Sequence, residues 1–437
     1  MTDHRNLVLG LGKTGVSVVR WLTARGESVT VNDSRSEPPG TEALRDYGDA
    51  VQFNFGGFQE SLLGDVNRII VSPGISRSES IIRAAVRRGI PVIGDIELFA
   101  SVVAAPVVAV TGTNGKSTVT TLVAEMIRNA GYRVYAGGNL GEPALDLLDR
   151  PTPDFYVLEL SSYQLESTSG LATAAAVVLN VSPDHMDRYS DLNDYAAAKS
   201  KIYGKSTVAV VNADDPIVLK MDVNPAKRVT FGLIDTDADY TVRDEWVVHH
   251  NERIIRVADI RLPGLHNVAN ALAALALGSA IGLPRNAMTS VLQTFSGLPH
   301  RMQVVAEHYG VRYVDDSKGT NVGATVAAVE GLSEPVVLVA GGDGKGQDFA
   351  PLQAAFRGRV KHAILIGRDK EILARSISSV CAVEFAEDMD SAVLAASRVA
   401  KSGDIVLLSP ACASLDMYKD YAERGNRFAI AAQRLSA

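Results

Sequence analysis

The stretch Thr111-Gly-Thr-Asn-Gly-Lys-Ser-Thr118 sets two glycines, a lysine and several hydroxyls between an apolar run and an amphipathic one. Val107 to Val110 is short, largely β-branched and preceded by Pro106, which suits a buried strand, whereas Val119, Leu122, Val123 and Met126 recur at helical spacing. The loop therefore opens a helix. Gly112 and Gly115 let backbone amides turn toward an anion, the helix N-terminus adds partial positive charge, and Lys116 adds a full one. Ser117 can set its hydroxyl on Mg²⁺. A phosphate cradle is thus predicted from Gly112, Thr113, Asn114, Gly115, Lys116, Ser117 and Thr118. Val110 stands five residues before Gly115, where the common G-x-x-x-x-G-K-[ST] pattern has glycine, so the loop is shorter than usual.

At 437 residues the chain exceeds one comfortable core and suggests roughly three domains. A net charge of -7 argues against a nucleic-acid surface, so the phosphate loop should serve a small nucleotide. Cys381 and Cys412 make neither a disulfide framework nor a metal motif, which points to a reducing, cytoplasmic setting. The run from Leu7 to Leu11 is broken by glycines and Lys13, so no signal peptide is read there. Asn270 to Ile281 is too short to span a bilayer and reads as a buried helix. No membrane partner is expected, and a monomer is.

Toward the N-terminus, Leu7-Val-Leu9 leads into Gly10-Leu-Gly12-Lys-Thr-Gly15, a strand followed by a G-x-G-x-x-G turn and a helix. A second strand, Ser28 to Val31, ends at Asp33, where a dinucleotide-binding protein would hold a ribose. A nicotinamide dehydrogenase is the obvious alternative. However, this domain closes near residue 94, with strands at Arg68 to Val71 and Pro91 to Ile93, and half a dinucleotide fold should bind half a dinucleotide. Gly12, Lys13, Thr14 and Gly15 then hold a diphosphate, with Asp33, Ser34 and Ser72-Pro73-Gly74 around the nucleoside, although Ser72-Pro73-Gly74 reads equally well as a simple turn.

From 95 to 299 strands alternate with helices, the pattern of a mostly parallel sheet. Phe155 to Leu158 delivers Glu159 to a strand's carboxyl end, where Mg²⁺ would be held. Ala174 to Leu179 delivers Asn180-Val-Ser-Pro-Asp-His185. On the residues alone His185 reads as structural, and Lys199, within a helical stretch, as a solvated surface lysine. From 300 to 437 strands at Val336 to Ala340, His362 to Ile366 and Ile405 to Leu408 make a further α/β domain. Their loops, Asp316 to Thr320, Gly341 to Lys345 and Ser409 to Asp416, should gather on one carboxyl edge.

Together, the phosphate loop, Gly138-Asn-Leu-Gly141, Leu158-Glu-Leu-Ser-Ser162, Asn180 to His185, the Lys199 helix, Gly264-Leu-His-Asn-Val-Ala-Asn270 and His300-Arg301 resemble the ATP-dependent Mur ligases of peptidoglycan synthesis, over essentially the whole chain. Gly94-Asp-Ile-Glu-Leu-Phe99, Ser161-Ser-Tyr-Gln-Leu-Glu166 and Ser409-Pro-Ala-Cys-Ala-Ser-Leu-Asp416 are similar to the members that add D-glutamate.

The resemblance implies three α/β domains: Rossmann-like for 1–94, a P-loop-type ATPase for 95–299 and Rossmann-like for 300–437. It implies ATP-driven joining of D-glutamate to UDP-N-acetylmuramoyl-L-alanine through an acyl phosphate. Lys116, Glu159, His185 and Lys199 become catalytic; Ser117, Glu159, His185 and Lys199 the metal set, with Lys199 carrying a CO₂-derived carbamate. Asn270, Arg301 and Asp316 would contact ATP, Asn139 and His185 the uridine-linked substrate, and Lys318, Thr320, Lys345, Ser414, Leu415 and Tyr421 D-glutamate. Gly319 and Tyr421 stand where the family pattern has alanine and phenylalanine, and neither removes a functional group. The rivals are another amide ligase of the superfamily, such as a folylpolyglutamate synthetase, and a nucleotide-dependent switch with no acceptor.

Overall fold

Leu7, Val8 and Leu9 are all fully buried, with no alternation of polar residues, because the strand that carries them lies in a parallel sheet covered on both faces. The computed structural model describes residues 5–223 and 227–435. Its first sheet, built from β1 (Arg5–Leu9), β2 (Ser28–Asp33), β3 (Val51–Phe55), β4 (Arg68–Val71) and β5 (Val92–Ile93), runs in the order β3-β2-β1-β4-β5 and is parallel throughout. The order reverses between β1 and β4, so the loops that follow these two strands diverge and leave a crevice.

The second sheet contains β6 (Val107–Thr111), β7 (Val134–Gly138), β8 (Phe155–Glu159), β9 (Thr173–Val178), β10 (Ser206–Asn212), β11 (Lys227–Phe231), β12 (Tyr240–Arg243), β13 (Trp246–His249) and β14 (Glu252–Arg256), in the order β14-β13-β12-β11-β10-β9-β6-β8-β7. It is parallel from β7 to β12, and β13 and β14 add an antiparallel edge. Helix Leu265–Ala280 starts five residues before the apolar run that announced it, and Ala271 to Leu277 are within 1% of complete burial. At about 1.5–3 kcal/mol per buried leucine, this helix is a major tie.

The third sheet comprises β15 (Gln303–His308), β16 (Val311–Asp315), β17 (Val336–Gly341), β18 (Val360–Ile366), β19 (Ala382–Phe385) and β20 (Ile405–Leu408), ordered β15-β16-β20-β17-β18-β19, with only β15 antiparallel. Along β17, Val336, Leu338 and Ala340 pack with Leu352 and Phe356, while Val337 and Val339 pack with Ala396 and Phe428. Adjacent strands β16, β20 and β17 release their following loops at one edge.

The chain divides into two compact units. Met1–Val181, Asn193–Val257 and Asn270–Leu292 form the first; Ser182–Leu192, Ala258–Ala269 and Gln293–Ala437 form the second. Among the described residues no helix is long and apolar enough to cross a membrane.

Candidate functional site

In the first unit, β6 is flanked by β8 and β9, with Val110 paired to Glu159 and Thr111 to Val178. The phosphate loop therefore emerges between Glu159 and Asn180. Thr113 N–H donates to Asn180 O at 2.9 Å and Asn114 N–H to Asn180 Oδ1 at 2.8 Å, so Asn180 templates the loop. Asn180 stands in a sequence motif that carries no signal of this role. Gly115 sits at φ 84°, and a β-carbon there would lie 2.4 Å from Asn270 Oδ1. Gly112, at φ 146°, would meet Leu179 Cβ at 2.9 Å. Only glycine suits such conformations and approaches. Lys116 leads helix Lys116–Asn129 and folds back, its Nζ donating to Gly112 O at 3.0 Å and Thr113 O at 2.8 Å. Ser117 and Thr118 are buried in the first turn.

The solvated position expected for Lys199 from the residues alone is corrected here: it is 1% exposed. Its Nζ lies 4.3 Å from the Tyr195 ring centroid and donates to Gly112 O at 2.9 Å. Two ammonium groups, those of Lys116 and Lys199, thus meet on one carbonyl oxygen in a buried place, where like charges repel strongly. Glu159 is also buried, and its Oε1 accepts from Asn139 Nδ2 at 2.6 Å. Ser117 and Glu159 offer a hydroxyl and a carboxylate, the hard oxygen donors that suit Mg²⁺.

A second site in the same unit is the crevice beyond β1 and β4. A cavity of about 450 Å³ there is lined by Gly12, Lys13, Thr14, Asp33, Ser34, Ser72, Pro73, Gly74 and Asn139, all expected there from sequence, and also by Arg35 and Gln164, to which the sequence assigns no site role. Gly15 lies beneath it, where a β-carbon would come within 2.0 Å of Gly10 O. Arg35 forks onto Asp33, Nε to Oδ1 at 2.9 Å and Nη2 to Oδ2 at 2.7 Å. Burial by itself would raise the Asp33 pKa. The guanidinium of Arg35 and the N–H groups of Arg35 and Leu11 outweigh it and bring the carboxyl down to about 2. Arg35 was missed because a lone arginine after a strand carries no motif.

Beneath the cavity's floor Asp95 is buried and accepts from Gln164 Nε2 at 3.2 Å. Burial pushes its carboxyl up to about 6, with the Gln164 bond opposing. The first segments similar to the D-glutamate-adding members, at 94–99 and 161–166, therefore meet each other here.

The second unit holds His185, Arg301, Asp316 and the residues assigned to D-glutamate. Asp316 is buried, accepts from Ser409 Oγ at 2.8 Å, and is pushed up to about 7 by burial, with Arg301 opposing. Arg301 Nε is buried without a hydrogen-bond partner among the described residues. Lys318 Nζ lies 5.3 Å from the Tyr421 ring centroid, and Thr320 N–H donates to Lys318 O at 3.0 Å. Asp343 pairs with Ala413, which sets the Lys345 turn beside buried Ser414. Leu415 is largely exposed and Tyr421 opens helix Tyr421–Arg434. Arg424 of that helix, 1% exposed, ties the loops together: Nε and Nη2 donate to Ser317 Oγ and O at 3.0 and 2.8 Å, and Nη1 to Cys412 O at 3.1 Å.

Comparison with known proteins decides the family. Residues 4–94 match a model described as Mur ligase MurD-like, N-terminal domain, residues 110–278 the Mur ligase middle domain, and residues 300–412 the Mur ligase, glutamate ligase domain. The chain belongs to the Mur ligase family. A UDP-N-acetylmuramoylalanine--D-glutamate ligase of Nitrosococcus oceani is 51% identical over 438 residues, covering 98% of this chain and 96% of that protein. One of Marinobacter nauticus is 47% identical, covering 98% of each. Among solved structures, the UDP-N-acetylmuramate-alanine ligase of Thermotoga maritima matches with TM-score 0.62 at 19% identity, covering 99% of this chain and all of that one. At that identity it speaks for the shared Mur ligase fold alone.

Proposed function

We propose that this Mur ligase joins D-glutamate to UDP-N-acetylmuramoyl-L-alanine at the expense of ATP, in cytoplasmic peptidoglycan precursor synthesis. The observation that carries this reading is the 51% identity, over 98% of the chain, to a relative named for that reaction. The labour divides by domain: residues 1–94 hold the uridine diphosphate, 95–299 the ATP, and 300–437 the amino acid.

In this reading the substrate's L-alanyl carboxylate attacks the γ-phosphorus of ATP, giving an acyl phosphate and ADP. The amine of D-glutamate then attacks the acyl carbon and phosphate leaves. Lys116, the loop amides and the N-terminus of helix Lys116–Asn129 meet the charge that gathers on the transferred phosphoryl group. Gly112, Thr113, Asn114, Gly115, Ser117, Thr118 and Asn270 shape the cradle, and Arg301 and Asp316 hold the nucleotide. Arg301, with its buried unbonded Nε, suits such an anionic or carbonyl-rich ligand. Gly12 to Gly15, Asp33, Ser34, Ser72 to Gly74, Asn139 and His185 bind the uridine-linked substrate, and Lys318, Thr320, Lys345, Ser414, Leu415 and Tyr421 bind D-glutamate.

Ser117, Glu159, His185 and a carbamate on Lys199 would hold Mg²⁺, which when bound would neutralise phosphate charge. The convergence of Lys116 and Lys199 on Gly112 O supports the carbamate, because carbamylation replaces a repelling cation by an anion beside Lys116. The test is phosphate release from ATP with UDP-N-acetylmuramoyl-L-alanine and, in turn, D-glutamate, L-glutamate, L-lysine or no amino acid. Release should require D-glutamate. Release that is indifferent to the amino acid would leave only a nucleotide switch.

A further inference from the structure

A carboxylate of the protein already stands on the lysine that the reading above gives to the acceptor's side chain. Lys345 Nζ donates to Asp184 Oδ1 at 2.7 Å, and Asn321 Nδ2 donates to Asp184 Oδ2 at 3.2 Å. The pair is largely withdrawn from water, with side chains 15% and 8% exposed. A buried ion pair is a poor way to stabilise a fold, since apolar packing of the same volume does as well or better. Lys345 and the neighbour of Asp184 also sit in strained backbone. Lys345 has φ 50°, and His185, the residue after Asp184, has φ 59°. Left-handed conformations at residues other than glycine gather at functional sites. The lysine's turn is held in place by its own N–H on Asp343 Oδ1 at 2.9 Å and by the pairing of Asp343 with Ala413, next to Ser414.

We propose that Asp184 receives the ammonium of the incoming amino acid, released for that task when the acceptor's side-chain carboxylate takes over Lys345. This rests on the assignment of Lys345 to the D-glutamate side chain. The exchange keeps both protein charges paired. Before binding Asp184 is paired with Lys345, and His185 Nε2 lies 3.6 Å from its other oxygen. Afterwards there are two ion pairs, Lys345 with the substrate's side-chain carboxylate and Asp184 with its ammonium, and the α-carboxylate falls to the remaining donors of the acceptor site.

The arrangement selects at both ends of the ligand. An amino acid with an uncharged side chain brings no second carboxylate, so while its α-carboxylate is held elsewhere nothing displaces Asp184 and Lys345 stays engaged. A dicarboxylate without an amine can take Lys345 only by depriving the Asp184 carboxylate of its lysine with no ammonium in exchange, a penalty in a dry site. Rejection of the wrong ligand thus comes from a built-in competitor as well as from favourable contacts to the right one. Asp184 is a positioning and specificity residue here, acting on the amine before it becomes the nucleophile.

Equilibrium binding to the full chain tests this without requiring turnover. Glutarate and D-glutamate are titrated calorimetrically in the presence of ADP, Mg²⁺ and UDP-N-acetylmuramoyl-L-alanine, for the unaltered protein, Asp184→Asn and Lys345→Ala. In Asp184→Asn glutarate should bind roughly tenfold or more tightly than in the unaltered protein, because no carboxylate loses its lysine. D-glutamate should bind no more tightly, so its preference over glutarate collapses. An unchanged preference in Asp184→Asn overturns the exchange and leaves the pair a structural tie. Lys345→Ala separates the two readings: weaker binding of both ligands upholds the acceptor site, whereas no effect on either removes that site and the exchange with it. Asp184→Ser, smaller and also neutral, replaces the asparagine variant if the latter melts early, and the same collapse is expected.

Discussion

The glycines of Gly10-Leu-Gly12-Lys-Thr-Gly15 make separable demands, and exchanging two of them for alanine tests how this motif divides folding from binding. At Gly15 a β-carbon would lie 2.0 Å from the carbonyl oxygen of Gly10, a backbone atom with nowhere to go. A relaxed carbon-to-oxygen contact is about 3.3 Å or more, so helix Lys13–Thr23 must retreat from β1 by more than about 1 Å. Overpacking of this kind costs about 1–3 kcal/mol. At the upper end of that range, the melting midpoint of the unit that holds it should fall by roughly 5 °C. Gly12 differs: its φ is -91°, nothing stands within 4 Å of an added β-carbon, and it lines the cavity. Gly12→Ala should therefore melt within a degree or two of the unaltered protein, and the methyl group should protrude where the diphosphate belongs. Its affinity for UDP should fall about tenfold, or about 1.4 kcal/mol. Scanning calorimetry reads the first effect and UDP titration the second. A Gly12→Ala protein that melts early but binds UDP normally would refute the assignment of the turn to diphosphate, and a Gly15→Ala protein of full stability would refute the packing argument.

Lys116→Ala and Glu159→Ala should each reduce turnover to background while the thermal midpoint stays nearly unchanged, since both residues act on phosphate charge; a near-normal rate in either removes the phosphate site as described. Lys199→Arg keeps a cation but cannot carry a carbamate, so it should be as inactive as Lys199→Ala, and an active arginine variant contradicts the modification. Asp95→Asn should stabilise the protein in a pH-dependent way. The Asp95 carboxyl titrates near 6 when folded against an ordinary 3.8, so its stabilising contribution is complete below about pH 4 and is lost as the pH rises through 6. Asparagine does not titrate, so the gap between variant and parent should widen from near zero at pH 4 to about 3 kcal/mol at pH 8; a gap that does not change with pH refutes the buried, protonatable Asp95.

The phosphate loop could be read from sequence because its chemistry is local. Eight consecutive residues carry the turn, the helix start and the lysine, and the strand before them declares itself by composition. The same holds for the glycine turn after β1 and for the mostly parallel character of the sheets, where helical and extended periods alternate along the chain. The edge formed by β16, β20 and β17 was also foreseeable, since parallel strands release their loops at one end.

What the sequence could not contain is which distant residues end in the same dry place. Lys199 has the neighbours of a surface lysine, and its burial against Gly112 O follows from how helix Leu192–Ser200 is laid down, 87 residues further along the chain. Arg35 acquires its meaning from the cavity that β1 and β4 open beside it, and Arg424 from a helix end that reaches back 107 residues to Ser317. Asp184 and Lys345 lie 161 residues apart and form their pair only once tertiary structure has removed the water between them. Local sequence determines turns and periodicity because these depend on near neighbours. Charge pairing and burial depend on the dielectric each side chain finds, and the folded topology alone decides that.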